Sequence, residues 1–347
     1  MSDEPGVVAP DRRAVRRAAV GVLVLFAAAG FAFATWASRL VAVRLTLGLD
    51  PGQMGLLLLC WSAGSVAAMP LSGRLIKRFG GRPVLTAAGG LAAAALVGAG
   101  GAAAARSVPA VGLLLVALGV GIGVWDVAMN VAATDVEHAL ARTAMPRFHA
   151  GYSVGTVLAG LVGAAMARVG LPVLWHFAAV AAVCLAATLW AVRGLLTGGA
   201  LDAERPASAP GPGRRRSPGR RRSAWGEPRV VMIGFLVLSL TLAEGAAGDW
   251  MASGIVQGFE VPEAVGIIGL TVFLTAQTVT RIFGTRLVDR FGRPAAIRAS
   301  GLFALVGVML YALSPALGAA LAGSALWGIG AALVFPLGMS AAGDDPA

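Results

Sequence analysis

Charge is scarce in this chain. Asp, Glu, Lys and Arg make up 13% of its 347 residues while 57% are hydrophobic, whereas a soluble domain carries about 25% charged residues. A water-solvated globule is excluded on that ground. Cysteine is nearly absent: Cys60 and Cys184 each lie inside an apolar run, so no disulfide framework or paired-thiolate metal site is expected, and both read as small buried residues. The sequence has no His-Glu-x-x-His and no Walker Gly-x-x-x-x-Gly-Lys-Ser/Thr, which argues against a zinc hydrolase and against an ATP-driven pump. No enzymatic role, cofactor or metal is expected. A net charge of +11 would suit nucleic acid, but the basic residues are scattered between apolar runs and form no DNA- or RNA-binding motif.

What the chain has in abundance is apolar runs of about 20 residues, the length that crosses a bilayer as a helix. Ten are expected, at 18–38, 52–72, 84–105, 109–131, 148–168, 171–192, 230–253, 262–283, 295–313 and 316–339. Their apolar character is continuous rather than alternating, which favours helices over barrel strands. The fold class expected is an all-α polytopic membrane protein. The first run is followed by Ser38, Arg39 and Leu40 rather than a small-residue cleavage site, so it reads as a first span and not a signal peptide. With the N-terminus inside, 24 of the 28 basic residues fall on the inner side, leaving Arg39, Arg44, Arg106 and Arg168 outside. Lys and Arg resist translocation, so this asymmetry predicts cytoplasmic termini.

Residues 201–228, "LDAERPASAPGPGRRRSPGRRRSAWGEP", are rich in Pro, Gly, Ser and Arg and poor in core formers. They read as a linker inside a cytoplasmic segment at 194–229, between a six-helix half at 1–193 and a second half at 230–347. A short basic phrase occurs once in each half: "GRLIKRFGGRP" at 73–83 and "TRLVDRFGRP" at 285–294, with Arg78 and Arg290 offset by 212 residues. Duplication at matching places in two bundles is the mark of parallel repeats. The phrase resembles the cytoplasmic loop signature of the major facilitator superfamily, Gly-x-x-x-Asp-Arg-x-Gly-Arg. The resemblance implies two six-helix halves that alternate access to a central site, with Gly73, Arg74, Arg78, Gly80, Arg82, Asp289, Arg290, Gly292 and Arg293 forming the gating loops. There, glycine would admit close helix approach and arginine would bond helix-end carbonyls and carboxylates. The copies are imperfect: Lys77 replaces the motif's Asp, and Thr285 replaces its first Gly.

A narrower likeness lies in "GVWDVAMNVAATDVEHALARTAMPRFHAGYSVGTVLAG" at 123–160 and "AEGAAGDWMA" at 243–252. These elements look like the fucose-permease-related, YbjJ-like branch of bacterial facilitators. Twelve helices are usual in the superfamily, and ten are expected here, so the last two spans read as missing, either from a fragment or from a truncated gene.

Polar residues inside spans carry the functional signal, because a carboxylate in hydrocarbon costs about 3 kcal/mol or more. Asp126 and Asn130 are four apart and share a helix face; they suit either a solute hydroxyl or a pairing with Arg147. Glu244 sits mid-span where nothing local solvates it, which makes it the first candidate for proton or solute coupling. Asp249 reads as a cap or interface residue. His149 starts the fifth span and can change charge near neutral pH; a structural hydrogen bond is its other reading. Trp36, Trp125 and Trp250 fall on the first, fourth and seventh helices, which line the cavity in the superfamily, and would stack on a ring-bearing solute or pack the core. Arg39 reads as an interface anchor, and Glu137, His138 and Arg142 as a solvated inner loop. "GVGIG" at 119–123 lacks a preceding strand and reads as close helix packing, not a dinucleotide loop.

The expectation is a monomeric secondary transporter of the bacterial inner membrane that moves a small polar solute, sugar-like or another metabolite, as a proton symporter. A drug or metabolite exporter shares these features, and a non-transporting, truncated membrane protein is the rival of another class.

Overall fold

The computed structural model describes residues 11–140, 144–196 and 228–333, with side chains described except at some positions of α8, α9 and α10. Within that set every regular element is helical: α1 (Arg12–Ser38), α2 (Leu40–Leu47), α3 (Pro51–Phe79), α4 (Gly81–Ala104), α5 (Val108–Leu140), α6 (Met145–Arg168), α7 (Val173–Arg193), α8 (Pro228–Phe259), α9 (Glu263–Phe291), α10 (Arg293–Leu313) and α11 (Leu317–Ala331). Eight helical stretches among the described residues are long and apolar enough to cross a membrane, and α11 is a shorter apolar helix. Each of the ten expected spans overlaps a helix, and the last, expected at 316–339, runs past the described residues. The extra element, α2, continues the first span beyond a break at Arg39. α5 runs nine residues past the expected end at 131, so Glu137 and His138 lie on a helix and not in a loop. Arg142 lies outside the described residues.

Local chemistry explains the boundaries. α3 opens with Pro51 at its first position and a reciprocal capping box: Asp50 Oδ1 accepts from the Gln53 N–H at 2.8 Å and Gln53 Oε1 from the Asp50 N–H at 3.0 Å. Proline also precedes α7 and α9, at Pro172 and Pro262. The ends of α3 and α9 repeat each other. Gly80 (φ 79, ψ 158) and Gly292 (φ 80, ψ 157) each stop one helix and start the next, in a backbone region closed to residues with a Cβ. Their N–H groups bond the carbonyls of Ile76 at 2.8 Å and Val288 at 2.9 Å. Arg78 lies 5.4 Å over the Phe79 ring, and Arg290 lies 5.3 Å over Phe291. α3 and α9 begin and end 212 residues apart, so the duplicated phrase is duplicated geometry.

By packing, the chain divides into two units. In the first, α5 packs against both α3 and α4, and α4 also packs on α7. The Gly-Val-Gly-Ile-Gly stretch makes this possible. A Cβ at Gly119 would collide with the Trp61 carbonyl of α3, and one at Gly121 would come within 2.8 Å of the Ala92 nitrogen of α4. Close packing is therefore the use of these glycines. The second unit joins α8 to α11, with Ala37–Ala42 and Val157–Leu171 grouped to it, around a core of Met251, Ile255, Leu270, Phe273 and Trp327.

Candidate functional site

Three arginines satisfy carbonyls just beyond helix C-termini, where backbone acceptors lack intrahelical donors. Arg82 Nη2 donates to the carbonyl of Leu195 after α7. Arg281 Nε donates to that of Ala332 after α11 at 3.2 Å, and Arg39 Nη2 to that of Leu171 after α6 at 2.9 Å. A guanidinium has donors to spare, and two of the three spend them on a carboxylate.

Glu244 on α8 receives Arg281 Nη2 from α9 at 2.9 Å, with both side chains about one-third exposed (31% and 32%). The expectation of a carboxylate with no solvating neighbour is corrected: α9 supplies a cation 37 residues away. Arg39 is 4% exposed and its Nε lies 3.5 Å from Glu263 Oε1 at the start of α9. It is a buried, paired residue inside the second unit and not an anchor at the membrane surface. Asp249 lies in the interior of α8, half-buried, so a capping role is excluded. Gln277, 4% exposed on α9, keeps a buried amide nitrogen without a hydrogen-bond acceptor.

In the first unit Asn130 Nδ2 donates to the Asp126 carbonyl at 2.9 Å and lies 3.4 Å from Asp126 Oδ1. The shared face expected from their spacing is present, and both residues are half-buried. Arg147, the alternative partner, is exposed. His149 is exposed and meets the Phe26 ring edge-on, centroids 5.1 Å apart. The tryptophans separate. Trp125 is 1% exposed, and Trp36, 3% exposed, is flanked by Trp61 at 6.3 Å and Phe177 at 5.9 Å; neither ring has a face left for a solute, and both pack the core. Trp250 is half-buried. Glu137 accepts from the N–H groups of Ala144 and Met145, both at 2.6 Å, and so caps the N-terminus of α6.

Around the first basic turn, Arg74 and Arg78 are exposed and Arg82 is engaged as above. A Cβ at Gly73 would meet nothing within 4 Å, which corrects its expected role in close helix approach. In the second turn Arg290 and Gly292 are exposed, while the side chains of Asp289 and Arg293 lie outside the described residues.

The sequence reading missed Arg281, Glu263 and Gln277. The signal for Arg281 was its depth on α9, ten residues before the second turn's helix end, too far in for a purely topological charge. The chain also spells Gly-Tyr-Ser-Val-Gly at 151–155, the pattern of a hydrolase nucleophile elbow. That motif needs a strand-to-helix turn with an exposed serine. Here it is mid-α6 with Ser153 5% exposed, and Gly155 lies against the Ala27 backbone, so the glycines serve helix contact.

Comparison with known proteins agrees with the geometry. The family profile described as Major Facilitator Superfamily matches residues 19–346. An uncharacterized MFS-type transporter of Yersinia pestis is 31% identical over 331 residues, covering 94% of this chain and 80% of that protein. Among solved structures, a variant of the nucleoside transporter NupG superposes with TM-score 0.69 at 13% identity, covering 93% of this chain and 82% of its own. A D-xylose-proton symporter superposes with TM-score 0.62 at 14% identity, covering 94% and 80%. This chain belongs to the Major Facilitator Superfamily, a multi-pass membrane protein of a transporter family and not an enzyme.

Proposed function

We propose that the chain carries a small polar solute, sugar-like or another metabolite, by alternating access coupled to protons. The observation that carries this reading is the Glu244–Arg281 pair at 2.9 Å within apolar α8 and α9. Ionisable groups at membrane depth are costly and mark solute or proton paths. Protonation of Glu244, or a solute hydroxyl bonding it, would release Arg281 and with it the Ala332 carbonyl beyond α11, so one local event reaches two helices. Asp126 and Asn130 offer a second polar pair to the solute, with Trp250 and His149 as further candidates. The two Gly-stopped turns, with Asp289 and Arg293 in the second, gate the inner face of two halves meeting at the 194–229 linker. The chain sits as a monomer in the bacterial cytoplasmic membrane with its N-terminus inside, a placement supported by its basic-residue asymmetry. The quoted Trp-Asp-x-x-Met-Asn and Phe-His-x-x-Tyr-Ser elements support the fucose-permease-related branch.

Uptake into proteoliposomes tests the reading, beginning with pentoses, hexoses and nucleosides, since the structural neighbours are named for D-xylose and nucleosides. An acid-outside gradient should drive accumulation of at least one solute, and Glu244→Gln should reduce accumulation to equilibration while leaving exchange. Failure of every solute to move sinks the transport reading. Movement indifferent to the gradient sinks the proton coupling alone.

A further inference from the structure

We propose that the cleft between α3 and α4 binds one anionic phospholipid of the leaflet on the side of their connecting turn. The cleft follows from how the first unit packs. α3 and α4 each lie along α5 but make little contact with each other, because Gly80 turns the chain sharply between them. A cavity of about 410 Å³ remains, lined by Leu75 and Phe79 of α3, Ala87 and Leu91 of α4, and Val120 and Val124 of α5, all apolar. Phe79 is 55% and Leu91 39% exposed, so its walls are open to the bilayer. It extends along α4 from Pro83 to Leu91, about 12 Å at 1.5 Å per residue, close to the ~15 Å hydrocarbon depth of one leaflet. That is the span of one acyl chain.

The last two turns of α3, which lead into the connecting turn beside this cleft, carry Arg74, Lys77 and Arg78, all exposed. Among the described residues no carboxylate pairs with any of them. Lys77 stands where the duplicated phrase has Asp289 in its second copy, so the position that would neutralise the arginines adds a third cation instead. Arg82 is committed to the Leu195 carbonyl. An apolar slot of leaflet depth, next to a helix end whose three cations meet no carboxylate among the described residues, complements a phosphodiester headgroup with its tail. A zwitterionic lipid would fill the slot but leave the cations without net charge to neutralise.

Native mass spectrometry of the full-length protein, titrated with phosphatidylglycerol or phosphatidylcholine of identical chains, tests this. The wild type should retain phosphatidylglycerol at least tenfold better. The triple variant Arg74→Gln, Lys77→Gln, Arg78→Gln should lose on the order of a hundredfold in phosphatidylglycerol affinity, at roughly fivefold per cation. Ala87→Trp, which fills the slot without touching a charge, should also lose the bound lipid. Equal retention of the two lipids overturns the proposal, as does a triple variant that binds like wild type. Unchanged binding by Ala87→Trp also sinks it, reducing the effect to surface charge. Displacement of the lipid by millimolar inorganic phosphate would show a free-anion site instead and overturn the lipid assignment.

Discussion

The α3–α4 turn and the α9–α10 turn share one backbone and differ in their charges. Gly80 and Gly292 agree within one degree in φ and in ψ, and the Arg-Phe pair before each is stacked alike. Yet the first copy carries Lys77 where the second carries Asp289. Among the described residues, the ion pair nearest the second copy has no counterpart: 212 residues before Glu244 and Arg281 stand Ala32 and Met69. The difference teaches that the turn is a geometric device, set by a glycine in a region closed to other residues, onto which each half attaches its own electrostatics. The half with an ion pair inside its spans is the one expected to carry coupling; the half whose turn cations meet no carboxylate among the described residues is the one expected to meet lipid.

Giving the second half the first half's residues breaks the comparison most severely. Arg281→Met alone leaves Glu244 uncompensated at membrane depth. We expect loss of transport by a hundredfold or more, and a stability loss of about 2 kcal/mol, below the 3–5 of a fully buried pair because both partners are one-third exposed. The double variant Glu244→Ala, Arg281→Met should regain the stability but not the transport. Thermal melting by size-exclusion chromatography and uptake assays, run side by side, separate these outcomes; recovery of both would show that the pair is only structural.

Next in size are the glycines. Gly80→Ala and Gly292→Ala should each cost roughly 1–3 kcal/mol, and by equal amounts, since the φ and ψ they impose are the same. A melting shift in one variant alone would show that the two turns are not equivalent. Arg39→Met is a comparable test at the other end of α9, and Met251 is the residue 212 positions on. It leaves the Leu171 carbonyl without its donor and Glu263 without its cation, with an expected loss of about 2 kcal/mol by the same melting assay. Smallest is Lys77→Asp, which gives the first turn the acid of the second. Exposed charges contribute about 0–1 kcal/mol, so melting should barely move while phosphatidylglycerol retention falls.

Span positions were legible because hydropathy is a property of consecutive residues, and the repeated phrase was legible because it preserves its glycine. The first unit's α5 shows how far this extends: Gly119 and Gly121 were readable as packing positions from composition alone. Trp125 and Trp36 mark where it stops. A tryptophan in a span looks the same to the sequence whether its ring faces a cavity or is enclosed by Trp61 and Phe177. Glu244 was found by its cost in hydrocarbon, but its partner was counted as a topological charge.

The sequence by itself determined the helical class, the run of spans, the duplicated turn and the family signature, all of which depend on local composition and a fixed spacing. The tertiary structure alone decided which charges meet. Arg39 reaches a carbonyl 132 residues away and Glu244 an arginine 37 residues away, because low-dielectric surroundings favour pairing a polar group with whichever partner the packed helices bring within about 3 Å.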